Sequence, residues 1–271
     1  MVRNDEFFLH RWISYYASQL GAENLYVFLD GTDQTFAKPL LGGIHITAVN
    51  RLEGSRSVAD RRRIDFLSAK AAELFADGYD LVIGTDTDEF LIVDPELRQS
   101  LPEYLSSQHI TTSLSAIGID VGQHLQKEAP IDPSHSLLSQ RRYAFLSDRY
   151  SKTSVLARPV PWGSGFHRIR NHNFHIANGI YLFHFGCVDY GRLKARFTDG
   201  ERSDDGWEAH LQRRARTIHI ITQSTPKTWE QTTQRARRIQ NLFRQPYAWN
   251  KPTMLRRKWV VEIPERFRNL I

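Results

Sequence analysis

The chain has 271 residues, 41% hydrophobic and 24% charged, ordinary proportions for a globular protein and enough length to bury a core as one large domain or two small ones. No apolar run approaches the roughly 20 residues that cross a bilayer, Met1-Val2-Arg3-Asn4-Asp5-Glu6 has acids where a secretory leader is basic and then apolar, and a single cysteine, Cys187, excludes an internal disulfide and a cysteine-based zinc cage. The net charge of +6 is uneven: basic residues outnumber acids from Glu201 onward, in clusters such as Arg213-Arg214, Arg237-Arg238 and Arg256-Arg257-Lys258, which points to an anionic partner or to a solvated helix face.

In chain order, Asn4 is placed to cap a first helix, with Asp5 and Glu6 in its first turn, where the helix dipole favours acids. Phe8, Trp12, Tyr15, Tyr16 and Leu20 follow at helical spacing, and Gly21 is a natural stop. Residues 24–29 have strand composition and end at Asp30-Gly31-Thr32-Asp33. Residues 42–49 predict another strand. A long helix is expected over 57–76, with Ser57 and Asp60 in capping-box-like positions and Gly78 closing it.

The stretch that organises the chain comes next, at residues 80–93. Leu81-Val82-Ile83 reads as a buried strand, and Phe90 to Val93 as a second apolar run. Between them lie Asp86, Asp88 and Glu89. If the segment is extended, Asp86 and Asp88 point the same way and can share one hard divalent cation, whose remaining positions take water and phosphate oxygens. The alternative is an Asp-rich turn bonded to its own backbone. The alternation of strands and helices predicts a mainly parallel α/β sheet, with ligands outside the carboxyl ends of the strands. Both acid-bearing strand ends, 30–33 and 86–89, would then face one crevice.

Further on, Asp94-Pro95 predicts a helix start, with the helix running to about Ser107. Residues 111–120 predict a strand, 122–148 a long loop with short helices, and 154–160 another strand. Trp162-Gly163-Ser164-Gly165-Phe166-His167 is a glycine-rich turn ending in an aromatic and a histidine. Residues 174–177 and 180–185 read as two strands of a hairpin joined at Asn178-Gly179. His184 then faces opposite to Phe183 and Phe185, and Cys187 is expected to be a buried structural thiol. Helices are expected over 190–197, 207–221 and 228–243. The simplest organisation is one catalytic domain, 1–200, with a helical basic extension, 201–271, packed on it.

Several of these segments resemble a family 2-like glycosyltransferase. Arg3-Asn4-Asp5-Glu6, Leu20-Gly21-Ala22-Glu23 and Asp30-Gly31-Thr32-Asp33 are similar to that family's Asn-Glu pair, Leu-Gly-Val helix end and Asp-Asn-Gly-Ser strand end. Asp86-Thr87-Asp88-Glu89-Phe90 is similar to its Asp-x-Asp-Glu-Phe segment. The run from Lys152 to Arg158, Gly165-Phe166-His167 and Leu182-Phe183-His184-Phe185 look like its later Lys, Gly-x-His and His-Tyr segments. The likeness spans about residues 1–197. The family's first strand ordinarily begins several residues before the Arg-Asn pair, which leaves room for residues upstream of Met1.

The resemblance implies a GT-A-like fold, mostly parallel with mixed pairing, a nucleotide-diphosphate sugar donor, and manganese or magnesium. It implies donor binding by Arg3, Asn4, Asp30, Asp86 and His167, and metal binding by Asp86, Asp88 and His184; Trp162 and Phe166 are then candidates to stack on a sugar face, the alternative being simple packing. No Glu-Asp pair marks the acceptor-side base, so Glu89, Asp120 and Asp148 stand as candidates. The acceptor would be a glycan or a lipid-linked saccharide, and nucleic acid is not expected as a partner. A cytoplasmic location is expected, peripheral at a membrane if the tail docks there. Two other readings stay open. One is a phosphoryl-transfer enzyme with an Asp-x-Asp nucleophile, although Phe90 stands where that chemistry wants Thr or Val. The other is a non-enzymatic protein that binds anionic surfaces through its tail.

Overall fold

The computed structural model describes residues 1–34, 36, 40–51, 56–198 and 215–271. It is a mixed α/β architecture. Strand β1 (Tyr26–Asp30) pairs in parallel with β2 (His45–Val49), and Val2 adds a parallel bridge to Leu29. A separate seven-stranded sheet contains β3 (Val82–Ile83), β4 (Glu89–Val93), β5 (Ser113–Gly122), β6 (Tyr143–Leu146), β7 (Val155–Leu156), β8 (Ile176–Cys187) and β11 (Val260–Glu262). Its centre is β5, which pairs in parallel with β8 on one side and antiparallel with β6 and β7 on the other. Two short strands, β9 (Arg244–Gln245) and β10 (Ala248–Pro252), form their own hairpin.

The expected parallel sheet is corrected here: of eight strand pairings among the described residues, only β1–β2 and β5–β8 are parallel. Short returns such as β5 to β6 and β4 to β8 can pair antiparallel without a crossover helix.

Helix α1 (Glu6–Leu20) forms as expected and buries Phe8, Leu9, Ile13 and Tyr16. Its cap is Asp5, whose carboxylate accepts from Phe8 N, not Asn4; Asn4 takes φ 49° and donates its own N–H to Gln34 Oε1. Helix α2 (Arg56–Ala76) starts before Ser57, so Ser57 lies inside it, and the capping position falls outside the described residues. Asp94 caps only a single 3₁₀ turn, Pro95–Leu97; helix α3 (Leu101–Ser107) has its own capping box, made by Ser100 and Glu103.

The loop expected over 122–148 contains α4 (Leu137–Gln140) and strand β6. Residues 176–187 are not a hairpin. They form one strand, β8, in which Gly179 at φ 74° absorbs an irregularity: Ser115 pairs with Ile176, but Ile117 pairs with Tyr181. Asn-Gly supplies the positive φ that a bulge needs as readily as that of a turn. Helix α5 (Tyr190–Thr198) follows. Of the helix expected over 207–221, residues 207–214 lie outside the described ones, and α6 (Arg216–Gln223) takes up the rest. Helix α7 (Trp229–Leu242) follows Thr228 as expected. The tail is not purely helical, since it also supplies β9, β10 and β11, and β11 joins the main sheet beside β6.

The core explains why β4 reads as a continuous apolar run. Phe90 and Ile92 pack on one side of the sheet with Phe183, Trp229 and Phe267, while Leu91 and Val93 pack on the other with Leu9, Ile13 and Tyr16. Both faces are covered, and each such side chain contributes about 1.5–3 kcal/mol. Among the described residues, no helix is long and apolar enough to cross a membrane.

Candidate functional site

Period-2 alternation places three polar residues on the α1 side of the sheet. Glu89 shares the face of Leu91 and Val93, His184 that of Leu182 and Ile180, and Asp120 that of Ala116 and Leu114. Strand register then sets them side by side, because Glu89 is opposite His184 and His184 is opposite Asp120. The row lies near the carboxyl ends of the parallel pair β5 and β8, where α/β sheets hold ligands. All three residues are buried, at 5% exposure or less.

Asp120 is engaged twice. Its Oδ1 accepts from His184 Nδ1 at 2.7 Å and its Oδ2 from Thr217 on α6 at 2.5 Å. A proton held on Nδ1 leaves Nε2, 3.6 Å from Asp88 Oδ2, as the ring atom that can offer a lone pair once the imidazole is neutral. The Tyr150 ring stacks on the imidazole with centroids 3.7 Å apart and fixes its plane. Burial opposes the charged form of His184, but Asp88 and Asp120 outweigh it and the net direction is up.

Asp86 and Asp88 do not point the same way. Residues 86–89 form a turn, closed by Glu89 N donating to Asp86 O at 3.0 Å, so the two carboxylates diverge. Asp88 goes to His184. Asp86 goes to cations, with Oδ1 2.6 Å from Arg63 on α2 and Oδ2 3.0 Å from Lys152. Burial raises the Asp86 carboxyl, but Lys152 and Arg63 more than reverse this and hold it well below the usual range.

Lys152 is 3% exposed and also lies 2.5 Å from Glu89 Oε1, although only its contact with Asp86 has the geometry of a directed hydrogen bond. Burial lowers the ammonium's pKa, while Asp86 and Glu89 raise it further than that, so Lys152 stays charged. Burial pushes Glu89 up to about 7 despite Lys152.

The strap 147–154 delivers Lys152 and Tyr150. It crosses β5 at Gly118, where a Cβ would lie 2.4 Å from Ser147 O, and Ser151 Oγ accepts the Gly118 N–H at 2.8 Å. From the other side α1 braces the acidic loop. Trp12 Nε1 donates to Thr85 Oγ1, Tyr15 OH to Leu91 O, and Leu91 N to Tyr16 OH.

Asp88, Glu89 and His184 each offer a donor atom within 4.8 Å of the others. Two carboxylates and an imidazole suit a divalent cation, with the imidazole favouring manganese over magnesium. The fit is supported by the tautomer that Asp120 imposes on His184. Gly186 keeps the site open, since a Cβ there would lie 2.7 Å from His184 Nε2 and 3.1 Å from Asp88 Oδ2. Gly186→Ala is therefore expected to weaken manganese affinity by about tenfold or more and to lower the melting temperature, because the held His184 ring must shift; unchanged affinity would contradict this packing.

The remaining sequence candidates lie around this centre. Asp148 Oδ2 accepts from Met254 N and Gln245 Nε2, which ties it to the β9–β10 hairpin. The guanidinium of Arg3 forks onto Asp33, with both contacts at 3.0 Å, and donates to Asp30 O. Asp30, Asp86 and Arg63 all bear electrostatically on the Met1 amino group, so the ends of β1 and of the loop after β3 do converge. Asn4 is exposed at the entrance to α1. His167 is held neutral by burial and then by Lys152 and Lys251, which push it down to about 3, and it lies outside the three-donor cluster. Trp162 and Phe166 are not available to a sugar, because both are buried against Ile64, Leu156 and Ile169. Arg63, Tyr150 and Thr217 carried no signal in the sequence, and Lys152 drew notice only through a resemblance.

No protein-family model matches the chain, and no curated protein matches it.

Proposed function

We propose that the chain is a metal-dependent glycosyltransferase that takes its sugar from a nucleoside-diphosphate donor, on a GT-A-like variant of the α/β fold. The observation that carries this reading is the three-donor cluster of Asp88, Glu89 and His184, set directly beside Lys152 and Arg63. A bound divalent cation supplies charge neutralisation for the leaving diphosphate without proton transfer. Asp88, Glu89 and His184 would hold it, and Asp120, by accepting from Nδ1, leaves Nε2 as the ligating atom. Lys152 and Arg63 fix Asp86 and place positive charge where phosphates are to lie. Asp30 and Arg3 line the converging strand ends on the donor side. The acceptor is a glycan or a lipid-linked saccharide.

Glu89 gives the metal site a pH signature. Its folded pKa is raised to about 7, above the ordinary carboxyl value, so the folded protein holds this proton more tightly and metal must displace it. Manganese affinity is expected to rise as pH increases through 7 and to level off above it. Glu89→Gln should remove most of the affinity, and what remains should still rise with pH because His184, also shifted upward, must shed a proton to bind metal; a flat profile in the wild type would contradict the assignment.

Release of nucleoside diphosphate from a panel of nucleotide sugars, with and without manganese, tests the function. Metal-dependent turnover of one donor supports it. Turnover of a generic phosphate ester, lost in Asp86→Asn, would favour phosphoryl transfer. That alternative needs a free Asp86 oxygen, and both are paired with cations.

A further inference from the structure

Between Gln231 and Val261 the sequence holds eight lysines and arginines and no aspartate or glutamate. The same stretch exposes large apolar side chains: Leu242 and Tyr247 are 75% exposed, Trp249 58%, Phe243 46% and Leu255 41%. These residues are the end of α7, the β9–β10 hairpin and the turn after it. Along β10, Ala248, Asn250 and Pro252 are buried while Trp249 projects outward, and Lys251 lies 5.7 Å from the Tyr247 ring.

The hairpin is fixed to the body. Asp148 accepts from Gln245 and Met254 N, and Asn250 Nδ2 donates to Ile169 O at 2.7 Å. Water-facing aromatics on an anchored, acid-free hairpin match the interface of a bilayer, where Trp and Tyr settle at headgroup depth and Lys and Arg meet lipid phosphates. The exposed aliphatics Leu242 and Leu255 find apolar surroundings in the acyl boundary, which a nucleic acid does not offer.

We propose that this hairpin and its flanks dock the protein on an anionic phospholipid surface. Leu242, Phe243, Tyr247 and Trp249 enter the headgroup region, and the surrounding arginines and lysines hold the lipid phosphates. Ile169, which anchors Asn250, follows the glycine-rich turn that carries His167, and Lys251, Lys152 and Asp86 all act electrostatically on His167, so the docked face lies on the Lys152 side of the site. A lipid-linked acceptor would meet the site there; that consequence rests on the transferase reading, whereas the docking does not.

Deleting the tail is no test, because β11 is part of the main sheet. Flotation of the full chain with phosphatidylcholine vesicles, with and without phosphatidylglycerol, is. We expect partitioning that needs phosphatidylglycerol and weakens with salt. Each basic residue near an anionic surface contributes about fivefold, so Arg256→Glu/Lys258→Glu should lose at least about tenfold. Tyr247→Ser/Trp249→Ser should lose a similar factor, and both variants should keep the wild-type melting temperature because the side chains are exposed. Asp88→Ala should float like wild type, which separates docking from the metal site. Absence of flotation, flotation indifferent to both double variants, or binding of single-stranded RNA in place of vesicles overturns the proposal.

Discussion

Lys152→Met is expected to lower the unfolding free energy by about 3–5 kcal/mol at pH 8, because it strips the ammonium from the buried Glu89 carboxylate and the half-buried Asp86. Asp86 keeps Arg63, but Glu89 keeps nothing positive at that distance and must either ionise in a buried site or take up a proton. The loss should therefore depend on pH. Glu89 is already raised by burial, and without Lys152 it rises further. A carboxyl raised on folding favours the folded state at low pH, below its unfolded value, and that contribution is lost as pH climbs through the folded value. Lys152→Met should thus be distinctly more damaging at pH 8 than at pH 5.5. Adding Glu89→Gln should recover part of the loss at pH 8, since it removes the stranded charge. Urea unfolding at the two pH values reads this directly, and an equal loss at both would contradict the arrangement.

Asp88→Ala is expected to cost about 100-fold or more in manganese affinity, with little change in stability. Loss of a partner that merely orients a ligand costs about 10–100-fold, and Asp88 offers a donor atom of its own to the proposed metal. It sits in a turn at the sheet edge, half-buried, and among the described residues its ion pair is the 3.6 Å approach to His184, so little packing is lost. Asp120→Asn should fall in the lower range: the amide can still meet Nδ1 but no longer imposes one tautomer on His184. Manganese titration followed by electron paramagnetic resonance separates the two, and equal losses would mean that Asp88 acts only by orienting His184.

Much of the framework was legible in the sequence because it depends on local periodicity. Helices α1 and α2, the doubly buried β4 and the orientation of His184 away from Phe183 and Phe185 follow from spacings of 3.6 and 2. Register was not legible. Nothing in the residues themselves says that His184 lies between Glu89 and Asp120, since this requires β4 and β5 to flank the same stretch of β8. The Asn178-Gly179 pair was misleading for the same reason, because partners on both sides decide whether a positive φ reverses a strand or bulges it. Asp86 and Asp88 were expected to share a cation, but the turn over 86–89 sends them apart, and Glu89 takes the place beside Asp88. Lys152, 66 residues from Asp86, is part of the site only through the crossing at Gly118.

The central claim is a divalent cation on Asp88, Glu89 and His184 that serves a nucleoside diphosphate. Calorimetric titration of a nucleoside-diphosphate panel, with and without manganese, into wild type and Asp88→Ala tests it most directly. One nucleotide is expected to bind only with manganese, and Asp88→Ala to abolish this binding while remaining folded. Nucleotide binding indifferent to manganese and to Asp88→Ala, or no binding of any member of the panel, would contradict it.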